Sequence, residues 1–176
     1  VARLVTKSLN KVTQDSIDLL KDFLFHGPNA LSYHHISPLN KLAEATQTIT
    51  APIIGGNLHV MQASLGTFWQ INAADKILFI EEINERAYRV DRVLAQLEQA
   101  RIVGQARAIL FGDMPDKGES DGRFLIKELL HEFAARCGLP VLQINNVGHT
   151  PVNHPLLLGY PAKLSMGNAY SLSFIR

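Results

Sequence analysis

The chain of 176 residues is 47% hydrophobic and 19% charged, enough length and apolar content to bury one sizeable core in a single compact unit. Its 17 Lys and Arg against 16 Asp and Glu leave a formal charge of +1, which argues against nucleic acid or another polyanion as partner. The one cysteine, Cys137, cannot form an internal disulfide, no run approaches the roughly 18 apolar residues that cross a bilayer, and VARLVTKSLNK lacks a secretory signal, so the expectation is a cytoplasmic protein with no membrane partner.

Residues 13 to 25, TQDSIDLLKDFLF, put Ile17, Leu20 and Leu24 on one helical stripe, with Thr13 as cap and Gly27 and Pro28 as stop. From there to Pro52 the chain is polar, with His34, His35 and Pro38, and predicts a long connection with only short strand-like pieces. GGNLHVMQASLGT predicts a glycine turn feeding a short helix, with Asn57 as cap and Leu58, Met61 and Leu65 at helical spacing. Lys76 to Ile80 reads as a buried strand, and from Tyr88 the period changes to a helical stripe of Val90, Val93, Leu94 and Leu97 that closes near Gly104.

ARAILF, residues 106 to 111, predicts a second buried strand, after which Asp121 is placed to cap a helix with Leu125, Leu129, Phe133 and Cys137 on its apolar side and Gly138 at its end. VLQI after Pro140 predicts a third strand, NNVGHTPVNHP a polar loop, and AKLSMGNAYSLSFI a hairpin turning at Gly167 and Asn168. The fold class that follows is mixed α/β, without an internal repeat.

Glu81 and Glu82 stand side by side where the strand over residues 76 to 80 ends. Neighbours on a strand point to opposite faces, so one acid is expected inward and the other toward solvent or a partner, and adjacency makes them a poor pair for glycoside hydrolysis. The residues alone leave a structural role and a site at the strand end both open. His149 sits in a loop behind Gly148, where an imidazole can cycle protons near neutral pH, and an ordinary surface histidine is the competing reading. His154, five residues on, raises a metal alternative with His149 and an acid, although the spacing fits no zinc signature. IIGGNL lacks the Lys-Ser/Thr ending of a phosphate loop and reads as a backbone turn. Arg89 and Arg92, three apart, share one side of a helix start and read as a salt-bridged face, and MPDKGESDG as a solvated loop.

GGNLHVMQASLGT, ILFIEEINERAYRVDRVLAQL, ARAILFGDM and VGHTPVNHPLLLG, in this order, resemble the successive blocks of the carboxy-terminal domain of LD-carboxypeptidases, serine peptidases that remove the terminal D-residue from murein tetrapeptides and include a microcin-immunity branch. The resemblance implies a small β/β/α domain over residues 55–176, preceded over 1–54 by a linker and helix region. It implies that Glu81 and His149 are the acid and base of a Ser-His-Glu triad. His149 would take the proton of a serine, and Glu81 would orient the ring, with no metal and no cofactor. Leu157 stands where the family commonly has Pro.

Neither Ser64 nor Ser165 lies in a nucleophile elbow, so the serine is expected in an amino-terminal domain missing from this chain. That absence predicts exposed apolar surface beside Glu81 and, as a consequence, self-association, with a homodimer as one expected form. The other readings are a binding module that kept the fold without the chemistry, and a metal-dependent hydrolase using His149 and His154.

Overall fold

The computed structural model describes residues 12–175, and the opening residues discussed above lie outside that range. Eight strands form one sheet in the order β1-β8-β7-β3-β4-β5-β6-β2. They are β1 (Ser32–Tyr33), β2 (Ile36–Pro38), β3 (Gln47–Asn57), β4 (Ile77–Glu81), β5 (Ala108–Phe111), β6 (Val141–Ile144), β7 (Pro161–Met166) and β8 (Ser171–Phe174). The helices are α1 (Gln14–His26), α2 (Lys41–Glu44), α3 (Leu58–Ser64), α4 (Ala87–Gln99) and α5 (Ile126–Arg136). The fold is mixed α/β, as the element order predicts.

The middle of the sheet, β3 to β6, is parallel, and the flanking strands are antiparallel. Runs such as Ile77 to Ile80 and Ala108 to Phe111 are buried at every position, because a parallel strand is covered on both faces. Leu78 and Ile80 face the core made with α3, α4 and α5, while Ile77 and Phe79 face a second core with β7, β8 and the β1–β2 segment. The two edges of the sheet, β1 and β2, are separated in the chain only by His34 and His35. That short link holds the edges together and curls the sheet into a nearly closed barrel around the second core.

The polar connection predicted up to Pro52 is therefore replaced by both edge strands and half of the longest strand. β3 runs unbroken through residues 54 and 55, pairing with β7 from Gln47 to Pro52 and with β4 from Ile53 to Asn57. Pro52 sits where one ladder gives way to the other, opposite Pro161, so its missing N–H costs the sheet little. The glycines of IIGGNL are strand, not turn. Gly55 has φ +135°, and a Cβ there would lie 1.8 Å from the Phe79 carbonyl oxygen, so only glycine lets β3 approach β4 at that point.

Asn57 caps α3 as expected, its Oδ1 accepting from the Val60 N–H. α4 buries Val90, Val93, Leu94 and Leu97 as its stripe predicts. Two other helices differ from expectation. α1 buries Ser16 and Leu20 and leaves Leu24 66% exposed, so its docked face is turned from the predicted one. α5 is capped by Asp116, whose Oδ2 accepts from the Ile126 N–H, while Asp121 binds the Arg123 N–H and guanidinium in the preceding loop. The loop MPDKGESDG is thus not simply solvated, since Met114 is buried and Asp116 works as a cap. Cys137 ends α5, half-buried against the helix-side core. The terminal hairpin forms as expected, with Gly167 alone of the two turn residues at positive φ.

Candidate active site

The carboxyl ends of the four parallel strands converge on one edge of the sheet, where open α/β sheets place their ligands. β3 ends at Asn57, β4 at Glu81, β5 is followed by Gly112 and Asp113, and β6 by the loop of residues 145–155.

Strand alternation puts Glu81 on the same face as Ile77 and Phe79, inside the barrel rim, and it is 7% exposed. Its Oε2 lies 2.5 Å from Nδ1 of His149, whose side chain is 31% exposed. Two residues 68 apart in sequence are thereby brought into contact. Burial pushes the Glu81 carboxyl above the usual range, and the adjacent Glu82 charge adds to this, against the opposing effect of His149. An ionised Glu81 can only accept at Nδ1, so the tautomer that fits this contact carries its hydrogen on Nδ1 and leaves Nε2 as the base. Among the described residues Nε2 has no hydrogen-bond partner.

Glu82 does not meet solvent, contrary to the expectation for the second acid. It lies on the helix side of β4 and is 5% exposed. Its Oε2 is 2.5 Å from Nδ1 of His59 and 3.2 Å from the His59 N–H, and Oε1 accepts from Asn57 Nδ2 at 2.8 Å and the Ile83 N–H at 2.9 Å. Burial alone would raise this carboxyl, but the hydrogen bonds from His59, Ile83 and Asn57 outweigh it and hold the group below the ordinary range. Glu82 therefore ties the end of β4 to the first turn of α3. The sequence carries no spacing signal for this pair, although the parallel register that sets Asn57 opposite Glu81 also brings the following residues side by side.

The loop that carries His149 is held from three sides. Asp113, after β5, accepts from the Asn146 N–H at 3.3 Å and contacts Thr150 Oγ1 at 2.9 Å, while its own N–H donates to the Val147 carbonyl at 2.8 Å. Asn153 accepts from the Gly148 N–H at 3.1 Å, closing the loop on itself. A Cβ at Gly148 would come within 3.0 Å of Asp113, so glycine lets the loop approach the end of β5 closely here. From α1, the buried Ser16 hydroxyl accepts from the Asn153 N–H at 3.0 Å and Asp15 Oδ2 lies 3.0 Å from His154 Nε2. From β1, the buried Tyr33 hydroxyl donates to the Pro155 carbonyl.

His149 and His154 thus bind different acids, Glu81 and Asp15, and among the described residues no three His, Cys, Asp or Glu side chains gather as a metal site. Arg89 pairs with Glu85 at 3.6 Å and Arg89 and Arg92 both lie over the Tyr88 ring, an exposed salt-bridged face. Ser64 is buried, its hydroxyl donating to the Met61 carbonyl and accepting from the Ile71 N–H, so it is occupied away from His149. Beside Glu81 opens a cleft of about 170 Å³ that includes Gly56, Phe79, Gly148, Asn153 and His154, with the half-exposed Leu158 on its rim.

Residues 50–164 match the family model described as the LD-carboxypeptidase C-terminal domain. A protein of Rickettsia conorii is 31% identical over 159 residues, which make up 90% of this chain and 49% of that one. A Bacillus subtilis protein named "Probable murein peptide carboxypeptidase" is 31% identical over 144 residues, 80% of this chain and 43% of that protein. The chain spans about half the length of these relatives. The crystal structure of a muramoyltetrapeptide carboxypeptidase from Oxalobacter formigenes superposes with a TM-score of 0.73 at 23% identity, covering 93% of this chain and 56% of that one, a likeness of fold.

Proposed function

The chain belongs to the LD-carboxypeptidase family, and from that premise we propose that it supplies Glu81 and His149 to a serine carboxypeptidase that cleaves the terminal D-residue from murein tetrapeptides in the cytoplasm. The observation that carries this reading is the 2.5 Å contact of His149 Nδ1 with the buried Glu81 at the carboxyl end of the parallel strands. His149 Nε2 takes the proton of an attacking serine and returns it to the leaving D-amino acid, while Glu81 keeps the ring in the tautomer that leaves Nε2 unprotonated and stabilises the imidazolium that forms. Acyl transfer by this route needs no metal and no organic cofactor.

The serine lies outside these 176 residues, in an amino-terminal domain that covers the cleft beside Glu81. Two facts support this: the chain spans about half the length of its relatives, and the cleft of about 170 Å³ falls short of the roughly 300–1,000 Å³ of a complete small-ligand site. The test uses the protein that carries both halves. Glu81→Gln and His149→Ala are each expected to lower kcat on a murein tetrapeptide by about 10³-fold or more with thermal unfolding unchanged. Hydrolysis at the parental rate by either variant would end the assignment, as would hydrolysis of the tetrapeptide by the 176-residue chain alone.

A further inference from the structure

The contacts of Thr150 pose a question of proton count. Its Oγ1 lies 2.9 Å from Asp113 Oδ2 and 2.6 Å from the Val152 carbonyl oxygen. A threonine hydroxyl has one hydrogen, a carbonyl has none, and an ionised aspartate is acceptor-only. With Asp113 as a carboxylate, one of these two short contacts would set oxygen lone pairs against each other without a proton between them. The other Asp113 oxygen, Oδ1, accepts from the Asn146 N–H at 3.3 Å, so in a protonated Asp113 the hydrogen belongs on Oδ2.

We propose that Asp113 is a positioning residue that holds the His149 loop as a protonated acid, its Oδ2–H donating to Thr150 Oγ1 while the Thr150 hydroxyl donates to the Val152 carbonyl. The relay runs from the end of β5 through Thr150, the residue after His149, to Val152, and fixes the backbone on the carboxyl side of the histidine. Asn146 and the Val147 carbonyl fix the amino side through the same Asp113. When the proton leaves, one contact of the relay becomes repulsive and the loop loosens around His149.

The surroundings agree. Burial pushes the Asp113 carboxyl above the usual range, more than the backbone hydrogen bonds from Asn146 and Val147 and the nearby His154 lower it. The titratable groups that face it are His154, paired with Asp15 of α1, and, next in the chain to Thr150, His149 with its Glu81. On its own element, Phe111 and Gly112 precede it and bring no charge. The claim that Asp113 matters for catalysis rests on the proposed role of His149, whereas its protonation does not.

The experiment is a carboxyl-carbon NMR titration of the 176-residue chain, with the Asp113 signal identified by its loss in Asp113→Asn, together with amide exchange over residues 146–153. Asp113 is expected to stay protonated well above the value of about 3.9 at which an ordinary Asp ionises, and exchange in the loop to accelerate through the same pH at which it does. In Asp113→Asn the amide nitrogen takes over the donor and the oxygen the acceptor, so the loop stays protected and the pH step disappears. In Asp113→Ala exchange is about tenfold faster at every pH. Ionisation of Asp113 at or below the ordinary value, or an unchanged pH step in Asp113→Asn, overturns the proposal. Neither readout involves peptide hydrolysis, so loss of the Glu81 and His149 assignment and loss of this one are told apart.

Discussion

Glu81 and Glu82 are neighbours in the chain, yet each holds the Nδ1 of a different histidine at 2.5 Å, His149 toward the inside of the barrel and His59 on the helix side. The pleat of β4 separates two carboxylates that share a peptide bond into two environments. One faces a cleft and carries a single partner, and the other is closed in by four hydrogen bonds, three of which tie the end of β4 to the cap and first turn of α3.

The two acids should therefore fail differently. Glu82→Gln leaves one oxygen to serve groups that two served, and loses the charge on a buried acceptor. It is expected to cost about 2 kcal/mol of stability. Chemical denaturation of the chain checks this, and Glu81→Gln, beside an open cleft, is expected to shift the midpoint far less. Equal shifts in the two variants would refute the division of labour.

The stabilisation by Glu82 has a pH window with a definite sign. Its folded-state carboxyl is depressed, so the contribution is fully present above the unfolded value of about 4.3 and is lost as pH falls through the depressed folded value. The stability gap between the wild type and Glu82→Gln should thus be constant near neutral pH and close progressively below about pH 4. A gap that widens on acidification would show that Glu82 is not the ionised acceptor described above.

Gly55→Ala tests the approach of β3 to β4. With φ at +135° and a Cβ 1.8 Å from the Phe79 carbonyl oxygen, the variant cannot keep both the backbone and the ladder. Separation of the central pair of the sheet is expected to cost about 3 kcal/mol or more, read as a large fall in Tm or failure to fold. A Tm within a few degrees of the parent would mean that β3 and β4 can part at Gly55 without consequence.

How much of this was legible in the sequence depended on whether the signal was local. The all-apolar run of β4 and the stripe of α4 are local patterns, and they appear where expected. β3 was hidden because Pro52 and the pair Gly55 and Gly56 argue against a strand unless a change of partner and a close neighbour are known. Glu81 and His149, 68 residues apart, could be joined only through resemblance to a family, and the structure brings them together. Glu82 with His59 and Asp113 with Thr150 belong to no motif, since they arise from which strands are neighbours and which loop falls on which strand end. Asp116 replaces Asp121 as the cap of α5 for the same reason, because its carboxylate reaches Ile126 across ten residues of folded loop.

α1 is the least expected support of the site. Its predicted stripe included Leu24, which is exposed, while Ser16, a polar residue outside that stripe and one turn before Leu20, is fully buried against the His149 loop. There the Ser16 hydroxyl accepts from the Asn153 N–H, and Asn153 in turn accepts from the Gly148 N–H next to His149. Ser16→Ala removes the acceptor and leaves a buried N–H without a partner, at a cost of about 1–2 kcal/mol. Because Asn153 is the clasp of the loop, the loss is expected to be local as well as global, with amide exchange at Gly148 and Asn153 accelerating more than at the β4 and β5 amides. Uniform acceleration across all these positions would show that Ser16 serves the core alone, and that α1 does not position His149.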